Sequence, residues 1–109
     1  MDIARELAVH AGEELAHAIQ IAKQIDYLNG TPTTVPKEVK TSADAEEMLR
    51  FDLENERVTI LQYRQRIREA EAMGEFALSE VLRKIIAQEQ EHLTDLADAL
   101  GIDNPTIVG

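Results

Sequence analysis

Three long stretches of this chain carry core-type residues at alternating steps of four and three, the spacing at which a helix keeps one stripe turned towards its neighbours in a bundle. The first stripe runs Ile3, Leu7, His10, Glu14, His17, Ile21 and Leu28. The second runs Leu49, Leu53, Glu56, Ile60, Tyr63, Ile67 and Ala70, and the third Leu78, Leu82, Ile85, Glu89, His92, Leu96 and Leu100. A strand would alternate every second residue instead, so the pattern commits the chain to an all-α fold. Helix-stop residues fall where the stripes end. Asn29-Gly30 closes the first, with Gly30 suited to a left-handed cap, and Thr41-Ser42-Ala43-Asp44 offers a cap for the second. Gly74 divides the second from the third, which ends at Gly101 ahead of Asn104-Pro105. The expected helices are about 2–29, 43–72 and 75–100, in a helical domain over 1–101 with a tail over 102–109.

Helices of roughly 25 to 30 residues are about 40 Å long at 1.5 Å per residue. About three residues around Gly74 join the last two, which forces a short antiparallel hairpin. About twelve residues, Gly30 to Thr41, join the first two, and Thr31-Pro32-Thr33-Thr34-Val35-Pro36 favours extended chain. At about 3.3 Å per residue such a stretch spans about 40 Å, enough to return the chain along the whole bundle and set the first two helices parallel. A flexible linker between independent helices is the alternative. It leaves both flanking apolar faces without a partner. A bundle with one long crossover is therefore expected, not an up-down bundle with short loops.

Composition narrows the chemistry. Hydrophobic residues make up 44% and charged residues 29% of 109, with five Gly and three Pro, the balance of a helical globular domain and not of a disordered chain. That length fits one domain but is short for four long helices. The formal charge is −10 and no basic run interrupts it, so nucleic acid is excluded as an expected partner. An acidic surface of this kind aids solubility and would also concentrate cations. No apolar run approaches membrane length, and Met1-Asp2-Ile3-Ala4-Arg5-Glu6 opens without a signal core, so a cytoplasmic protein with no membrane contact is expected. The absence of cysteine removes disulfides, thiolate metal sites and iron–sulfur clusters. Carboxylate and imidazole remain as metal ligands.

Each stripe is broken near its middle by those residue types. Glu14 and His17 stand three apart and so project from one helix face, and Glu89 and His92 repeat the spacing. Glu56 stands alone on the remaining helix. A carboxylate on an apolar face costs several kcal/mol unless a cation, a proton or hydrogen bonds compensate it. One such pair would mean little. Two pairs and a centred glutamate, all in stripe register, point to a metal site, with a buried polar network as the other reading. His10 shares the first stripe without a glutamate three residues before it, and is either a satisfied core histidine or a peripheral metal contact. Tyr63 fits packing with a hydrogen bond. Glu13, Glu54 and Glu91 fall off the stripes and read as solvated.

Di-iron carboxylate bundles take one glutamate from each of two helices and a Glu-x-x-His pair from each of the other two. This chain supplies both pairs and one lone glutamate. It resembles the ferritin superfamily, and bacterioferritins within it, up to Gly101, through Glu13-Glu14-Leu15-Ala16-His17-Ala18, Ile25-Asp26-Tyr27-Leu28-Asn29-Gly30-Thr31-Pro32, Ala45-Glu46-Glu47-Met48-Leu49-Arg50-Phe51-Asp52-Leu53-Glu54-Asn55-Glu56 and Ile85-Ile86-Ala87-Gln88-Glu89-Gln90-Glu91-His92. The resemblance implies a ferritin-like helical bundle whose three helices correspond to the family's second, third and fourth, the first and its glutamate having no counterpart here. It implies Glu14, Glu56 and Glu89 as carboxylate ligands, terminal or bridging, and His17 and His92 as imidazole ligands, with the same glutamates serving catalysis. Haem is not implied, because Leu15 stands where bacterioferritins carry a haem-ligating methionine.

The function this implies is binding of two Fe(II) per site and their oxidation with O₂ or peroxide, a ferroxidase-type activity feeding iron storage or detoxification. Mn or Zn would also bind such a shell. A non-enzymatic interaction module with a vestigial site is the second reading, and a rubrerythrin-like peroxide reductase the third, although the usual Cys-ligated iron domain cannot exist in this chain. Ala4, Ala8, Ala11, Leu15, Ala18, Ala22 and Ile25 form a further stripe of small residues on the first helix. In the family this region lies near a twofold interface, so at least a homodimer through the first helix is expected. The competing reading is that alanines are simply good helix formers.

Overall fold

Three α-helices follow one another along the chain, α1 (Ile3–Tyr27), α2 (Ala45–Ala72) and α3 (Phe76–Leu100), with no strand among the described residues. The structure is a computed structural model that describes residues 3–35 and 37–109, and for Ile3 only the backbone. The expected helix start at residue 2, Pro36 of the connection and the side chain of Ile3 in the first stripe lie outside the described residues. The chain forms two compact units, one reaching to Glu38 and holding α1, the other Val39–Gly109 holding α2 and α3.

All three helices stop in the same way. At the end of α1, Asn29 N–H donates to the Asp26 carbonyl (2.9 Å) and Gly30 N–H to the Ile25 carbonyl (2.8 Å), with Asn29 at φ 65°. This is the Schellman arrangement, in which one left-handed residue lets two amides satisfy the last open carbonyls. The left-handed residue is Asn29, not Gly30 as its type suggested. Gly30 meets a different demand, close approach: a Cβ there would lie 2.9 Å from Ile25 Cγ2 and 3.3 Å from the Ile25 carbonyl oxygen. Gly74 (φ 75°) and Gly101 (φ 68°) hold the left-handed position after α2 and α3, with Glu75 N–H on the Ala70 carbonyl and Ile102 N–H on that of Ala97.

The start of α2 is fixed by a side-chain cap. Asp44 accepts from Glu46 N–H (2.9 Å), while Ser42 Oγ accepts from Asp44 N–H (3.1 Å) and donates to Glu47 (3.2 Å). Such caps supply about 0.5–2 kcal/mol by satisfying orphan amides of the first turn. Residues 73–75 turn α2 directly into α3, making the antiparallel hairpin. Its core is formed by Leu49, Ile60, Ile67 and Ala70 from α2 with Leu82, Ile85, Leu93, Leu96 and Ala97 from α3. Each large side chain buried there stabilises the fold by about 1.5–3 kcal/mol. Leu93, Ala97 and the buried Ser79 form a second row beside the expected stripe, so the buried face of α3 is wider than one seam.

A polar staple crosses the turn. Glu71 accepts from Ser79 Oγ (2.9 Å) and Arg83 Nε (3.1 Å), and again from Arg83 Nη2. The hydrogen bonds from Arg83 and then Ser79 hold the Glu71 carboxyl below the ordinary glutamate range. Beyond Gly101 the chain has no regular structure, yet it is held: Arg64 Nη1 donates to the Ile107 carbonyl (3.0 Å) and Arg68 Nη2 to the main-chain oxygen of Gly109 (2.7 Å).

Candidate metal centre

The hairpin brings Glu56, Glu89 and His92 together. Glu56 comes from the middle of α2, between Leu53 and Ile60, and the other two from one face of α3, between Ile85 and Leu96. His92 Nδ1 lies 3.7 Å from Glu56 Oε1 and 3.7 Å from Glu89 Oε2. These separations exceed a hydrogen bond, which closes to 2.7–3.2 Å. They suit a shared cation. Two donors each about 2.1 Å from one ion can stand up to about 4.2 Å apart.

Burial sharpens the point. Glu89 is 0% and His92 1% exposed, and the side chain of Glu56 is 17% exposed. Glu56 Oε2 is closed off from solvent and takes no hydrogen bond among the described residues. An acceptor in that state is costly unless a cation or proton meets it. A mixed set of carboxylate oxygens and imidazole nitrogen suits iron, and also manganese or zinc. The three residues fit a metal.

On α1, described by itself, Glu14 Oε2 lies 3.8 Å from His17 Nδ1, the same i, i+3 contact that Glu89 makes with His92. In both pairs Nδ1 is the ring nitrogen turned towards the carboxylate. His10, left open above, has Glu6 one turn before it, with His10 Nε2 3.7 Å from Glu6 Oε2. The pair is spaced four residues apart, one more than the Glu-x-x-His spacing of the other two histidines. Glu54 and Glu91 are exposed, and Glu54 pairs with Arg57 at 2.6 and 2.9 Å. That hydrogen bond holds the Glu54 carboxyl below its usual range. Leu15 stands 64% exposed and offers only hydrocarbon.

Over residues 1–104 the sequence matches the ferritin family, described as the ferritin-like domain. The chain belongs to that family. It is 30% identical over 94 residues to the bacterioferritin of Desulfovibrio desulfuricans, in an alignment that takes in 85% of this chain and 52% of that protein. The chain thus spans about half the length of this curated relative. Its structure is similar to that of a ferritin-like, diiron-carboxylate protein from Bacillus anthracis, with a TM-score of 0.82 and 32% identity over 92% of this chain and 76% of the other. The all-α ferritin-like fold expected from the three stripes is the fold of this ferritin-family chain, with its long connection after α1 and its short hairpin between α2 and α3.

Proposed function

We propose that this ferritin-family chain binds two Fe²⁺ ions as substrate through Glu14, His17, Glu56, Glu89 and His92, and oxidises them. The observation that carries the reading is the hairpin trio, in which one buried imidazole nitrogen stands 3.7 Å from each of two carboxylates. Membership of the ferritin family over residues 1–104 supports adding the second Glu-x-x-His pair of α1 to the same shell. Bound Fe²⁺ supplies the electrons, and O₂ or peroxide receives them.

The protein's part is placement. Three carboxylates offset most of the charge of two divalent ions, and the burial of Glu89 and His92 makes that attraction stronger than at the surface. A histidine that offered Nδ1 to an ion would keep its proton on Nε2, and a hydrogen bond from there would fix the ring's orientation. Water, or a ligand from another subunit, completes the shell. Mn²⁺ or Zn²⁺ would occupy the same donors without the oxidation. Haem has no part in the proposal, since Leu15 supplies no ligating atom. Iron storage or detoxification in a homo-oligomer that pairs through α1 is the setting we assign to it. No helix among the described residues is long and apolar enough to cross a membrane, and we assign the activity to the cytoplasm.

Anaerobic Fe²⁺ titration followed by mixing with O₂ tests the reading. About two ions bound per chain and a ferric absorbance rise that disappears in Glu56→Ala, with helicity retained, are expected. Failure of the unmodified protein to bind Fe²⁺ stoichiometrically would refute it.

A further inference from the structure

Of the three histidines, His10 is the one that the proposed iron shell leaves unused. It faces a carboxylate all the same, with Nε2 3.7 Å from Glu6 Oε2, one helical turn away. That separation is too long for a hydrogen bond, which closes to 2.7–3.2 Å, and it fits two donors each about 2.1 Å from one ion. Exposure divides the pair. The His10 side chain is 12% exposed and that of Glu6 40%, so the imidazole is largely covered while the carboxylate stays open to arriving cations. Glu6, His10, Glu14 and His17 follow one another at steps of four, four and three, which keeps them on one face of α1. The two pairs present opposite nitrogens of the ring: Glu6 meets Nε2 of His10, whereas Glu14 meets Nδ1 of His17. Their midpoints stand roughly 11 Å apart along the axis at 1.5 Å per residue, too far for one ion to be shared.

We propose that Glu6 and His10 form a further metal site, separate from the iron centre, which takes a single divalent transition ion through one carboxylate oxygen and His10 Nε2, with water filling the remaining positions. Both donors belong to one helix, so the backbone of α1 alone sets their spacing. Ions that accept imidazole as readily as carboxylate, Zn²⁺ and Fe²⁺ among them, suit the pair, whereas Mg²⁺ and Ca²⁺ take oxygen ligands. The formal charge of −10 raises the concentration of such ions around the chain. Two protein donors hold an ion less tightly than a five-residue shell does, so this site fills after the iron centre, once free metal is in excess, and exchanges its ion with solvent. His10 gives the Nε2 lone pair to the metal and keeps its ring proton on Nδ1.

Because the histidines report separately, one experiment distinguishes this site from the iron centre. Nitrogen-labelled full-length protein is titrated with Zn²⁺ and followed by nuclear magnetic resonance of the imidazole nitrogens, with His10→Gln assigning the His10 signals. Nε2 of His10 is expected to move to a metal-bound shift while Nδ1 keeps that of a protonated nitrogen. The Zn²⁺ affinity read at His10 is expected to fall at least tenfold in Glu6→Gln and in Glu6→Ala, each with the parent's helicity by circular dichroism, while the responses of His17 and His92 stay unchanged. His10 signals that move with pH and not with excess Zn²⁺ would mean an ion pair alone and overturn the proposal. So would a Zn²⁺ response at His10 that is indifferent to both Glu6 substitutions. Either result leaves the iron reading, which is followed at His17 and His92, standing on its own.

Discussion

Glu56 is the residue on which the proposed chemistry turns, because it is acidic, largely buried and on a stripe otherwise built of Leu49, Leu53, Ile60, Tyr63, Ile67 and Ala70. Its Oε2 is shielded without a hydrogen bond among the described residues, so without metal the carboxylate weakens the fold. Glu56→Leu is expected to raise the melting temperature of the metal-free protein, by an amount equivalent to about 1–3 kcal/mol. On the proposed function, Fe²⁺ is expected to stabilise the parent protein by about 2.7 kcal/mol when free metal stands at a hundred times Kd, and the same substitution should abolish that gain. Thermal melts with and without Fe²⁺ under nitrogen check both, and a metal-free melting point that falls would count against a destabilising carboxylate. That Glu56, Glu89 and His92 turn inward could be read from sequence because a polar group on an apolar seam has no solvated alternative. The left-handed residue of α1 could not, since Asn29 and Gly30 are adjacent and both tolerate the conformation. What decides is the contact of Gly30 with Ile25, three-dimensional information absent from the dipeptide.

At the scale of elements, the α2–α3 hairpin is held by its core and by the Glu71 staple. Ile85 is fully buried, and Ile85→Ala is expected to cost about 2–5 kcal/mol in urea unfolding, from lost transfer energy and the cavity left behind. The staple is pH-dependent. Hydrogen bonds from Arg83 and Ser79 hold the Glu71 carboxyl below its ordinary value in the folded chain. The unfolded chain therefore takes up the proton first as pH falls, and the staple's contribution is present above the ordinary glutamate pKa and lost as pH drops through the folded one. Arg83→Gln should lower the urea midpoint modestly at pH 7, and the difference from the parent protein should close on acidification through the carboxylate range. A difference that persists at low pH would mean that Arg83 acts through packing. Helix positions and the hairpin were legible because apolar periodicity and Gly74 are local signals. The staple was not, because Ser79 and Arg83 are eight and twelve residues from Glu71 and meet it only once the turn is formed. The second buried row on α3, through Ser79, Leu93 and Ala97, escaped for a related reason: a single four-three seam describes one interface, and this helix buries more than one row.

For the whole molecule, the ferritin-like fold places one Glu-x-x-His pair on α1 and another on α3, with Glu56 between them in the sequence. Family membership came through in the sequence because the Glu-x-x-His spacing falls in stripe register, and short stretches around each of the five candidate residues resembled the family as well. The hold of Arg64 and Arg68 on Ile107 and Gly109 did not come through, since arginine hydrogen bonds to main-chain oxygens leave no mark in the residues they hold. The central claim, that five side chains hold a pair of iron ions, is tested most directly by anomalous scattering at the iron edge from crystals grown with Fe²⁺ under nitrogen. Two peaks per chain are expected, together contacted by Glu14, His17, Glu56, Glu89 and His92. Iron sites that leave Glu56, Glu89 and His92 without a metal contact would contradict it.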